Sequence, residues 1–117
     1  MISHETENGA VVVGSNVYTD IAGNAAMNCF GVKGMAARSM KDGVYHLLRK
    51  ESARKGVHVD FHDDDSITIN LHIIVEHGIN LTAVGNAIIS EVRYVVTQTT
   101  GTAIRDVNIY IDSVSVE

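Results

Sequence analysis

Residues Val57 to Gly78 read VHVDFHDDDSITINLHIIVEHG, and their alternation decides the fold. Val57, Val59 and Phe61 alternate with His58, Asp60 and His62. After three aspartates, Ile67, Ile69, Leu71, Ile73 and Val75 alternate with mostly polar residues. A period of two sends successive side chains to opposite faces of a strand, so each run has one face for a core. Asp tolerates left-handed backbone and hydrogen-bonds its own turn amides, which makes HDDDS the turn of a hairpin. With Phe61 facing Ile67 across that turn, His58 pairs with Asn70 and Asp60 with Thr68. His72 then lies diagonal to His58, at roughly 7–8 Å between Cα atoms.

The flanking segments supply the other elements. Ala10 to Val13 (AVVV) is a short β-rich run closed by Gly14. Ser15 offers an N-cap for a helix whose Val17, Ile21, Ala22, Ala25, Ala26 and Cys29 make one apolar stripe, with Gly31 as C-cap. The segment VKGMAA reads as a short strand. Met40, Val44, Leu47 and Leu48 recur at helical spacing, and Arg49, Lys50, Arg54 and Lys55 suit the C-terminus of a second helix. Gly43 weakens that helix by roughly 1 kcal/mol relative to Ala. The longest helix begins at Asn80 or Thr82, carries Val84, Ile88, Val92, Val95 and Val96 on one stripe, and stops at Gly101. In the last strand Val107, Ile109 and Ile111 share one parity and Val114 and Val116 the other, which requires a bulge or bend near Asp112 and Ser113.

This order predicts an α+β fold: a small, mostly antiparallel sheet with helices packed on one face, broadly a KH-like two-layer sandwich. At 117 residues the chain has the length of one domain, expected over residues 9–117 behind a polar tail at residues 1–8. A composition of 45% hydrophobic and 20% charged residues belongs to a folded chain rather than a disordered one. The net charge of −5 argues against a general binder of phosphate backbones. The single cysteine, Cys29, excludes an internal disulfide and fits a reducing compartment. No apolar run approaches the ~20 residues of a spanning helix, and MISHETENGA is too acidic for a secretory signal. A cytoplasmic protein is expected, with no cofactor.

Four of the six histidines fall in the opening stretch, so a metal or acid-base site has to be weighed there. His58 and His72 could reach one ion, with Asp60 as a third ligand. His62 lies four residues from His58, about 13 Å along a strand, and His77 sits beyond the strand end on the core-side parity. The aspartate run lacks the central Gly and the final Glu of a calcium loop. Cys29 has His46 and His72 as conceivable bases, but its place on an apolar stripe favours packing. Ser15, Ser39, Ser66 and Ser90 lack a nucleophile-elbow context, and no dinucleotide or P-loop pattern occurs. Gly31 to Gly34 (GVKG) falls between two predicted helices, as does the GXXG loop with which KH domains clamp RNA. RNA binding through Gly31, Lys33 and Gly34 is therefore an alternative reading, set against helix punctuation at Gly31 and close packing at Gly34.

Five blocks, in order, carry a family resemblance: VYTDIAGNAA, GVKGM, KGVHVDF, ITINLHIIVEHGINL and TTGTAIRDVNIYIDSV. Together they span about Gly9 to Val116 and resemble the alkaline shock protein family of Gram-positive bacteria, also called YloU-like. The resemblance implies a small cytoplasmic protein linked to envelope or alkaline stress, in a family thought to self-associate or to act as scaffolds. Some of its members are held at the membrane by a separate membrane-anchored partner. It implies no enzymatic activity and supplies no functional residues to carry over. Two positions and one segment depart from the family pattern. Gly14 replaces a polar N-cap, Ile89 replaces a polar residue on the long helix, and AARSMKDGVYHLL replaces a glycine-rich stretch after GVKGM.

The expectation is a non-enzymatic interaction module that binds itself and another protein, with no membrane insertion of its own. Its partner-binding surface would be the outer sheet face, carrying His58, Asp60, Thr68, Asn70, His72 and Tyr110, or the sheet edges. A metal-binding role at His58 and His72 is the remaining alternative.

Overall fold

The computed structural model describes residues 1–38, 45–48 and 56–116. In chain order the elements are β1 (Ile2–Thr6), β2 (Gly9–Val13), α1 (Ser15–Met27), β3 (Val32–Arg38) and β4 (Tyr45–Leu48). They continue with β5 (Val57–Phe61), β6 (Ser66–Glu76), α2 (Leu81–Thr100) and β7 (Ala103–Ser115). The fold is α+β, as the alternation and helical stripes predict.

β6 is the axis of a five-stranded sheet. One of its edges is shared by β5, antiparallel over Ile67–Leu71, and β3, antiparallel over Ile73–Val75. Its other edge pairs in parallel with β7 along the full length. The hairpin register is the one read from the sequence: Phe61 opposes Ile67, Asp60 opposes Thr68 and His58 opposes Asn70. The odd residues of β6, Ile67, Ile69, Leu71, Ile73 and Val75, are all fully buried. Against them pack Tyr18, Ala22, Ala25 and Ala26 of α1 and Val84, Ile88, Val92 and Val96 of α2. Each large aliphatic side chain so buried contributes about 1.5–3 kcal/mol, which makes this layer the main source of stability. Alanines on α1 let that helix lie close to the sheet, while Tyr18 reaches Phe61 edge-to-face at 5.8 Å.

The helix ends follow from their caps. Asn80 Oδ1 accepts from the Ala83 amide at 2.9 Å, and Gly101 ends α2 with a left-handed φ of 72°. Gly14, not Ser15, is the N-cap of α1; it has no side-chain cap, and its carbonyl accepts from Val17 at 3.1 Å. α1 stops at Met27 with Asn28 as C-cap, short of the expected Gly31.

Two further expectations are corrected. Residues 1–8, expected as a tail, carry β1, which forms a two-stranded sheet with β2 through the Glu7–Asn8 turn. Ile2 anchors it in the core at 5% exposure, and one apolar residue in a polar run leaves no periodic signal. His4 Nε2 lies 3.5 Å from Thr102 Oγ1, which also bonds the Tyr18 hydroxyl at 2.7 Å, so the hairpin is tied to the link between α2 and β7 and through it to α1. Tyr45–Leu48, expected in a helix, is a strand antiparallel to β3. Four residues cannot distinguish helical from strand spacing, and pairing with β3 decides the matter. Met40, Val44, Arg49, Lys50, Arg54 and Lys55 lie outside the described residues.

Ile69→Ala should lower the unfolding free energy by about 2–5 kcal/mol in urea titration. Val12→Ala, at a position 55% exposed, should stay within about 0.5 kcal/mol of the parent.

Candidate functional site

The outer face of the sheet is set by the even residues of β6 and their neighbours. Parallel pairing places Asn108 beside Asn70 and Tyr110 beside His72, while the hairpin brings His58 and Asp60 to the other side. Hydrogen bonds run across all three strands. Asn108 Nδ2 donates to Asn70 Oδ1 at 2.9 Å, and Asn70 Nδ2 donates to Asp60 Oδ2 at 3.2 Å. An aromatic row lies next to this ladder. His72 and Tyr110 stack at 4.7 Å with 13° between planes, and His58 meets His72 edge-to-face at 5.7 Å. Thr68 bonds His62 Nε2 at 2.7 Å. The predicted face, His58, Asp60, Thr68, Asn70, His72 and Tyr110, is thus one contiguous surface.

Two members of the array were missed by sequence reasoning. β7 shifts register between Ile111 and Ser113, so Asp112 is the extra residue of a bulge. Its Oδ2 accepts from His72 Nδ1 at 2.9 Å, with side chains 11% and 29% exposed respectively. The parity switch marked the bulge, but the contact between Asp112 and His72 needed the parallel pairing of β6 with β7. Asn108 was missed for the same reason.

The alternative chemistries fare differently. His58 and His72 do approach each other, yet Asp60 turns to Asn70 and Asp112 occupies Nδ1 of His72. Among the described residues no three His, Cys, Asp or Glu side chains converge to hold a metal ion. Asp112 and His72 form the pair that orients a catalytic base, but among the described residues no hydroxyl or thiol hydrogen-bonds Nε2 of His72. Cys29 Sγ donates to the Ala25 carbonyl at 3.4 Å, and burial, with Glu91 nearby, pushes its thiol pKa up. That holds it in the unreactive protonated form.

The GVKG reading is overturned. These residues lead from α1 into β3 and do not form a loop between two helices. Gly31 and Gly34 are buried, and only Lys33 is exposed. Gly31 has a left-handed φ of 88°, and a Cβ there would come within 2.8 Å of Ile79 Cδ1. Its carbonyl accepts from the Glu76 amide at 2.9 Å, so the glycine closes the start of β3 onto the end of β6. Neither glycine offers backbone to a nucleotide.

The aspartate run is a turn. Asp65 N–H donates to the His62 carbonyl at 3.2 Å, His62 N–H donates to the Ser66 carbonyl at 3.0 Å, and Asp65 takes a left-handed φ of 64°. A tight turn followed by one left-handed residue joins hairpin strands across three residues. Asp64 Oδ1 accepts from both the hydroxyl and the amide of Ser66, at 2.6 and 3.1 Å. Those two bonds, with Arg105 at 3.2 Å, hold the Asp64 carboxyl at a pKa of about 2.

Comparison with known sequences identifies a matching family. The model of the alkaline shock protein 23 family, described as having a cell envelope-related function, matches residues 3–116. The chain belongs to that family. It is 37% identical to the uncharacterized protein YloU of Bacillus subtilis (strain 168), covering 98% of this chain and 96% of that one. It is 30% identical to the uncharacterized protein Spy1614 of Streptococcus pyogenes serotype M6, covering 95% and 92%. A second Bacillus subtilis protein, the uncharacterized YqhY, is 32% identical over 95% of this chain and 81% of its own. No solved structure matches significantly. Among the described residues of this alkaline shock family member, no helix is long and apolar enough to cross a membrane.

Two outcomes test the turn. Asp65→Val should cost about 1–2 kcal/mol, because a β-branched residue resists left-handed backbone, whereas Asp65→Gly should stay within about 1 kcal/mol of the parent. Because the Asp64 pKa is lowered on folding from 3.8 to about 2, its stabilisation is present above pH 3.8 and lost as the pH falls towards 2. The difference in urea midpoint between parent and Asp64→Asn should close over that window.

Proposed function

We propose that this chain is a non-enzymatic, cytoplasmic interaction module serving the cell envelope, acting as a scaffold in envelope or alkaline stress. It works by self-association and by docking a second, membrane-anchored protein. The carrying observation is the outer sheet face: ordered cross-strand rows of polar and aromatic side chains that converge on no catalytic centre. Side chains already fixed in position lose little entropy when a partner docks, so the face is pre-organised for recognition. The matching family, with its cell envelope-related description, supports the setting.

Alanine at His58, Asp60 and His72 together removes one side of the array and touches none of the buried odd residues of β6. The triple variant should keep its circular dichroism and lose roughly tenfold in capture of the envelope partner from membrane fractions. Unchanged capture and unchanged sedimentation would refute the assignment.

A further inference from the structure

Among the described residues β7 pairs with β6 alone, while β3 and β5 occupy the opposite edge of β6. The outer edge of β7 therefore presents a row of unpaired N–H and C=O groups, which is a template for another strand. The usual protections are sparse. There is no proline, Arg105 is turned to Asp64, and Arg93 covers only the Ile104 carbonyl, at 2.8 Å. Among the described residues nothing else hydrogen-bonds this edge over residues 106–114. Beside this edge α2 stops short of covering the strand and leaves a groove of about 460 Å³, lined by Leu81, Gly85, Ile89, Val107, Ile109 and Ile111. A Cβ on Gly85 would meet nothing within 4 Å, so a helix or strand can approach there.

We propose that β7 pairs antiparallel with β7 of a second copy across a two-fold axis at Tyr110, and that this edge carries the self-association described above, on which the inference rests. The order of side chains along the strand selects both occupant and register. Val107, Ile109 and Ile111 pack on the helix side and Val114, paired with Val75, shares their parity, while Asp106, Asn108, Tyr110 and the bulged Asp112–Ser113 pair face outward. With the axis at Tyr110, Tyr110 meets Tyr110, Ile109 meets Ile111, Val107 meets Val114, and Asn108 meets the bulged pair. Asp106 meets Ser115. Apolar rows thus meet apolar rows, polar rows meet polar rows, and no carboxylate opposes another on a chain of charge −5. An axis at Ile109 would oppose Asp106 and Asp112; an axis at Asn108 would oppose Ile104 and Asp112. At the Tyr110 axis the two α2 grooves come together, and Tyr110, 46% exposed, and Leu81, 43% exposed, gain cover. A two-fold pairing of like edges is closed, so it yields a dimer with a continuous sheet.

Directly opposed residues in an antiparallel pair have Cα atoms about 4.5–5.5 Å apart, within disulfide reach. In a Cys29→Ser background, Tyr110→Cys should form an intermolecular disulfide on mild oxidation, and His58→Cys, away from the edge, should not. A mixture of Asp106→Cys and Ser115→Cys chains should cross-link while Asp106→Cys alone does not, which tests the register with Tyr110 intact. Tyr110→Asp, folded by circular dichroism, should weaken association roughly tenfold in sedimentation velocity. Association that persists without either disulfide overturns the edge and leaves self-association standing. A chain that stays monomeric at every concentration overturns both.

Discussion

β6 has neighbours along both edges and a core on one face only, and the rest of the molecule depends on that constraint. Its odd side chains cannot return to water without exposing the layer shared with α1 and α2. A slip of one residue would send all of them to the wrong face, so the buried layer locks the register of β5, β3 and β7 at once. The outer face is ordered as a consequence: the same register that buries Ile69, Leu71 and Ile73 aligns Thr68, Asn70 and His72 with their partners on β5 and β7.

The bulge at Asp112 connects core to surface. Without the extra residue, the last part of β7 would continue the parity of Ile111 and turn Val114 outward. With it, Val114 returns to the helix side, and Asp112 is left over with its carboxylate on His72. The pair orients the imidazole against the Tyr110 ring. A feature required by hydrophobic alternation thereby fixes the geometry of the aromatic row.

Much of this was legible in residue order. The period of two in β5 and β6, the turn chemistry of the aspartate run and the Gly101 stop are local signals, and Asn80 was one of the two caps that the sequence offered for α2. Tyr45–Leu48 misled because four residues hold too little of either period, and only the neighbouring β3 makes them a strand. Ile2 carried no signal because a single apolar residue has no period, and its burial depends on a hairpin whose anchor, Thr102, is distant in sequence. GVKG misled because glycine spacing records where a Cβ is unwelcome, without recording whether solvent, a ligand or Ile79 is the reason.

Local chemistry therefore settled which residues of the hairpin face inward, how they pair and where α2 stops, because those properties act over a few neighbouring residues. The tertiary structure decided what lies beside them. The parallel partner of β6 lies beyond a whole helix in the chain, and no periodicity specifies across that distance which strand docks on which edge. That choice set His72 against Tyr110 and Asp112, completed the rows of the outer face and left the far edge of β7 open.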